Sequence, residues 1–260
     1  MTEIAQPFGF HNAEPMVRPG LRRDASTGLD TLRAPMLNWL TRYKPVVDAL
    51  TDLRATSAVD VGSGAHGLGR YWDGSVLQTD LAFVDQPPPT SNVAYVAASV
   101  EHLPLSDSSF DCAVSLDTME HLPQALRPLF VEEMARVARR AIIIGFPSGP
   151  LAKTTDRVYA TLMRLTPGLE VGGWLREHLD QERYPDRSTV VDSLPTDWQV
   201  VREIRSGNAL LSLIQVYIEA LPRYGLRISN RLERRYRERP YPRALDFPPT
   251  IRGIFIAAPR

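Results

Sequence analysis

An apolar run, Ala58 to Val61, holds the acid Asp60 and is followed at once by Gly62, Ser63 and Gly64, with Gly67 three residues on. Glycines in that place let a backbone turn sharply and approach a ligand where a Cβ would clash. Asp60 is placed to order the loop. Asp80 ends the next apolar stretch, Val76 to Asp80, eighteen residues beyond Gly62. A carboxylate there is positioned to accept both hydroxyls of a ribose, and Leu81 follows it directly. His121, preceded by Glu120, is the candidate general base, because an imidazole titrates near neutrality. Trp174, His178 and Tyr184 stand in a stretch dense in aromatic and polar groups, which reads as a lid over an acceptor or as a solvated loop.

These residues need elements to hold them. Apolar runs at 57–62, 76–80, 93–99, 109–116 and 140–146 read as strands, and 198–206 and 252–259 as a sixth and seventh. Short continuous apolar runs of this kind fit strands buried on both faces. Between them lie helical patterns. The clearest runs from Gln124 to Ala138, with Leu126, Leu129, Phe130, Met134 and Val137 on one face. Leu32 to Leu53 has helical spacing that Pro35 and Pro45 interrupt. The long connections 148–197 and 208–251 are expected to hold helices at 151–165, 209–221 and 228–239, since loops of such length without structure are uncommon. Strand–helix alternation predicts an α/β fold: a doubly wound, mostly parallel sheet with helical insertions. Leu116 and Asp117 close the fourth strand, at the edge where such sheets bind ligands.

Leu103-Pro104 with Ser109-Phe110-Asp111, then Met119-Glu120-His121-Leu122, resemble the "LP…SFD…LEHL" pattern of class I S-adenosylmethionine-dependent methyltransferases of the small-molecule type. The resemblance covers about residues 55 to 148. It implies a Rossmann-like seven-stranded sheet, with the seventh strand antiparallel between the fifth and sixth, and S-adenosyl-L-methionine as cofactor. Gly62, Ser63 and Gly64 would wrap the methionine part, with Asp60 behind them, and Asp80 and Leu81 would meet the ribose. Ser99 and Val100 fall where the family places an acid and a small residue against adenine. Leu116 and Asp117 would present their backbone to the methionine end. His66 departs from the pattern, which has a glycine there. The 174–185 stretch resembles a segment of methyltransferases found near glycan-assembly enzymes, which implies a saccharide among the small-molecule acceptors, free or lipid-linked, with Trp174, His178 and Tyr184 on the acceptor side.

Bulk properties exclude several classes. The 260 residues balance 30 basic against 30 acidic side chains, so no global basic field invites nucleic acid. Cys112 is the only cysteine. It permits neither an internal disulfide nor a multi-cysteine metal site, and no metal ligand is assigned. No eighteen-residue apolar run and no signal-peptide core are present, so the expected location is cytoplasmic. Residues 1–28 read as a mobile arm and 29–260 as one domain. Arg223, Arg227, Arg231, Arg234 and Arg235 recur at helical spacing behind the apolar stretch 209–218, and Arg237, Arg239 and Arg243 follow. They form either a solvated face or a weak dock for an anionic membrane. Oligomeric state is not legible. Two further functions share parts of these motifs. A nicotinamide-dependent dehydrogenase would explain the glycine loop and Asp80 but not the stretch from Ser109 to Leu122. A cofactor-binding regulator without turnover is compatible with Ser99 and His66.

Overall fold

Seven apolar stretches become the strands of one sheet in the computed structural model, which describes residues 39–64, 67–83, 88–166, 170–181, 183–219, 235 and 239–260. They are Ser57–Val61 (β1), Ser75–Asp80 (β2), Val93–Ala97 (β3), Phe110–Leu116 (β4), Ala138–Pro147 (β5), Trp198–Asn208 (β6) and Thr250–Pro259 (β7). Their order is β3-β2-β1-β4-β5-β7-β6. Strands β1 to β5 run parallel, and β7 lies antiparallel between β5 and β6. This is the Rossmann-like arrangement that the sequence implied.

Among the described residues the α-helices are Trp39–Arg42 (α1), Lys44–Asp52 (α2), Arg127–Val137 (α3), Gly149–Leu165 (α4), Gly173–Asp180 (α5), Arg187–Val191 (α6) and Ala209–Glu219 (α7), and the helix expected at 228–239 lies almost wholly outside them. Because side chains alternate along a strand, each strand serves both faces of the sheet. Val59, Ile142 and Ile144 pack with Phe130 and Met134 of α3. Their neighbours Ala58, Val114 and Ile143 pack with Val46 and Leu50 of α2. Every residue of β4 is therefore buried. A smaller cluster joins Tyr159, Ala160 and Met163 of α4 to Leu175 of α5.

Several boundaries differ from expectation for local reasons. The break in the first helical region falls at Tyr43, and Pro45 sits in the first turn of α2, where its missing N–H is no loss. Helix α3 starts at Arg127 after a 3-10 turn over Gln124–Leu126. Its buried stripe is Arg127, Phe130, Val131, Met134 and Val137, and Leu129 faces solvent at 39 % exposure. Strand β3 stops at Ala97, because it is an edge strand and its pairing with β2 ends at Asp80. The arm at 1–28, His66 and most of the Arg-rich stretch, including Arg223, Arg227, Arg231, Arg234 and Arg237, lie outside the described residues. Among the described residues no helix is long and apolar enough to cross a membrane.

Candidate active site

The carboxyl end of β1 opens into the glycine loop. Gly62 and Gly64 have φ of +71° and +59°, the left-handed region that side chains with a Cβ disfavour. The N–H groups of Gly62 and Ser63 donate to the Thr79 carbonyl at 2.8 and 3.0 Å, which ties the loop to the end of β2. Asp60 lies behind the loop at 1 % exposure, and its Oδ2 accepts the Leu68 N–H at 2.6 Å. Burial pushes its carboxyl up to about 6. Asp80 Oδ2 accepts the Gly64 N–H at 2.9 Å, and Oδ1 accepts the Leu81 N–H at 2.8 Å. The loop and the second acid are thus one bonded unit.

A cavity of about 680 Å³ opens on this unit. Gly62, Ser63, Gly64, Asp80 and Leu81 line one part of it, and Ser99 and Val100 another. Asp117, Thr118 and His121 complete the wall together with Glu177 of α5. Asp60, Leu116, Trp174, His178 and Tyr184 are not part of that lining. Leu116 is buried, and its carbonyl accepts from Arg42 Nη2 at 3.2 Å. Ser99 Oγ accepts the Glu101 N–H at 3.3 Å, and Glu101 itself reaches the cavity.

Asp117 has φ of +56° and a carboxylate held by two guanidinium groups. Arg42 Nε of α1 stands 2.7 Å from Oδ2, and Arg252 of β7 bonds Oδ1. All three side chains are at most 16 % exposed. The expected cofactor residue is also a knot that joins α1, the end of β4 and β7.

The histidines meet at the other side of the cavity. His121 lies in the 3-10 turn Met119–His121, and its Nδ1 is 2.9 Å from Glu177 Oε2. His178 is buried, with Nδ1 3.0 Å from Asp156 Oδ2. The same Asp156 oxygen accepts the Tyr184 hydroxyl at 2.7 Å. The two Nε2 atoms are 3.2 Å apart. Both nitrogens of His121 are therefore engaged. Glu120 has no solvent exposure, and neither carboxylate oxygen has a hydrogen-bond partner. Burial pushes Glu120 up to about 8. Burial, and then the neighbouring His178, lower His121. Trp174 is 45 % exposed, stacked on Tyr159 with centroids 6.1 Å apart and edge-on to His178 at 5.3 Å.

Comparison with known proteins gives these features a class. Residues 59–144 match the family model described as a methyltransferase domain. The structure is similar to magnesium protoporphyrin IX methyltransferase from Synechocystis with bound SAH, at 13 % identity, with 90 % of each chain covered and a TM-score of 0.50. It is also similar to the cyclopropane synthase MmaA2 from Mycobacterium tuberculosis, at 15 % identity, 82 % of this chain and 83 % of that one, with a TM-score of 0.50. No curated protein matches the sequence significantly. The fold is that of the methyltransferases it is similar to, and within it residues 59–144 resemble a methyltransferase domain.

Sequence reasoning missed Arg42, Arg252, Thr118 and Glu177. Thr118 lies between Asp117 and the Met119–Leu122 motif, and its Oγ donates toward the carbonyls of Val61 and Gly62 at 3.4 and 3.2 Å. A hydroxyl beside the strand-four acid was its only signal. Arg42 and Arg252 carried none, since their partner lies far away in the chain.

Proposed function

We propose that this chain is an S-adenosylmethionine-dependent methyltransferase acting on a small-molecule acceptor, a saccharide among the candidates, which enters beside His121 and Glu177. The observation that carries the reading is the single cavity shared by the glycine loop, Asp80 and His121. The cofactor fits the residues present. At Gly62 a Cβ would stand 2.4 Å from Thr118 Oγ1, so only glycine leaves the cradle open. Each Asp80 oxygen keeps acceptor capacity beyond its backbone bond. We assign the methionine part to the glycine loop, the ribose to Asp80 and the adenine to the Ser99–Glu101 turn. When bound, S-adenosylmethionine supplies an activated methyl group on a sulfonium that departs as a neutral thioether. The protein's task is then to hold the acceptor in line, a contribution of roughly 7–11 kcal/mol in favourable cases. His121 and Glu177 serve that positioning, and Trp174 of α5 packs behind them, edge-on to His178.

Calorimetry tests the cofactor assignment. S-adenosylmethionine or its demethylated product should bind saturably and NAD should not; the reverse pattern would end the reading. Asp80→Ala should weaken that binding by about 1.5–3 kcal/mol, roughly 10- to 150-fold. An unchanged affinity removes Asp80 from the site. Transfer of labelled methyl into the small-molecule fraction of a cell extract tests the acceptor class. Trp174→Ala should slow that transfer severalfold at limiting acceptor, with cofactor affinity within a few-fold of the parent. Equal rates at all extract dilutions would detach Trp174 from acceptor binding.

A further inference from the structure

We propose that Glu120, His121 and His178 form a binding site for one divalent transition-metal ion at the acceptor side of the cavity. The sequence alone assigns no metal ligand, because His121 and His178 are 57 residues apart and no spacing motif links them.

The donor set comes first. One ligand atom from each of the three residues lies within 4.8 Å of the others. The separations are 3.2 Å between the two Nε2 atoms and 3.8 Å from His178 Nε2 to Glu120 Oε1. Ligand atoms about 2.1 Å from a tetrahedral ion stand about 3.4 Å apart, so these two separations fit, and the pair His121–Glu120, within 4.8 Å, closes onto the ion by a small side-chain movement. Two imidazoles and one carboxylate, with a position left for another ligand, make a donor set that suits first-row transition metals.

The outer contacts point the same way. Glu177 accepts from Nδ1 of His121, and Asp156 accepts from Nδ1 of His178. A carboxylate on the far nitrogen fixes the ring and leaves the Nε2 lone pair inward, as metal-ligating histidines require. Tyr184 donates to the same Asp156 oxygen and holds it in place. With both Nδ1–H groups spent on carboxylates, the two Nε2 lone pairs face each other. A shared proton would relieve that pair but would leave Glu120 bare. Its two oxygens are fully buried without a partner, a costly condition in a protein interior. Arg127 does not supply one, since its Nε and Nη1 donate to the carbonyls of Leu122 and Arg183. A dication answers all three donors, and it offsets part of the negative charge that Glu120, Asp156 and Glu177 bring to the two rings.

His121 is also a wall of the cavity, which puts the ion beside the acceptor. There it holds an acceptor oxygen and favours its deprotonated form. That role rests on the methyl-transfer reading; ion binding does not.

The full chain, stripped with a chelator, is titrated with Co²⁺ and with Zn²⁺. The expected result is one equivalent per chain, visible-range absorption of the Co²⁺ form in the tetrahedral pattern, and a melting temperature raised by Zn²⁺. E120Q and H178Q should each weaken Co²⁺ binding at least tenfold while the demethylated cofactor still binds. Glu177→Gln alters a side chain 65 % exposed, so it leaves the interior intact even if the other two variants do not fold. It should weaken the ion about 10- to 100-fold. No stoichiometric binding by the parent chain, or binding unchanged in Glu177→Gln and in every ligand variant that folds, overturns the site. Cofactor calorimetry on the same samples is the separate readout. An ion without cofactor binding sinks the methyltransferase reading alone, and cofactor without an ion sinks this one.

Discussion

Asp117→Ala should lower the unfolding free energy of the ligand-free chain by about 3–5 kcal/mol, the usual result when one partner of a buried ion pair is removed. Two guanidinium groups depend on this carboxylate. Arg42 is 16 % and Arg252 11 % exposed in the side chain, so water cannot replace it for either. The substitution leaves two like charges facing each other in a poorly solvated space, in addition to the lost attraction. Asp117→Asn should cost less, because the amide oxygen still accepts one bond. Urea unfolding without cofactor is the measurement. A residue that served only the cofactor would leave this value unchanged, and a loss under about 1 kcal/mol would reduce the pair to a surface-like contact.

Gly62→Val should be nearly as damaging and should strike binding as well. Its φ of +71° costs an L-residue about 1–2 kcal/mol, more for a branched side chain. The new Cβ would also meet Thr118 Oγ1 and Cγ2 at 2.4 and 2.5 Å. Overpacking of that kind adds about 1–3 kcal/mol. Relief requires the loop to move away from Thr118 and with it the N–H groups of Gly62 and Ser63 that hold β2. Cofactor affinity should then fall by at least about tenfold. Gly64 has a similar φ, but nothing stands within 4 Å of a Cβ built there, so Gly64→Ala should carry the conformational cost alone. Equal losses in Gly62→Ala and Gly64→Ala would show that the contact with Thr118 contributes nothing.

The centre of the sheet was legible because β1, β2 and β4 are buried on both faces, and short continuous apolar runs fit such strands. β4 is the clearest case, and even the place of β7 followed from the resemblance. Edges were less legible. β3 lost its last two expected residues because pairing ends with its neighbour. The glycine loop and Asp80 are separate signals along the chain, and the bond from Gly64 N–H to Asp80 joins them. The α5 segment does reach the mouth, but with a different side from the one its residue types suggest. Glu177 lines the cavity and His178 turns inward, because successive helical residues point about 100° apart. Tyr184 likewise is buried against Asp156 and does not line the cavity. Glu120 stands out in the sequence only as the residue before His121. Its burial, and its approach to a histidine 58 residues away, are products of the packing of α4 and α5.

The position of β7 has a consequence for the order in which the chain can assemble. Strand β6 touches the sheet only through β7, and β7 is drawn from residues 250–259. During synthesis β1 to β5 can therefore pair as they emerge, while β6 waits some forty residues for the strand that connects it (Asn208 to Thr250). Throughout that wait β5 is an open edge with Ile142, Ile143 and Ile144 along it, the kind of surface that invites pairing with another chain. Arg252 arrives on the same late strand, so Asp117 is held by Arg42 alone until the sheet closes. Completion of the sheet and of the Arg42–Asp117–Arg252 knot are a single late event.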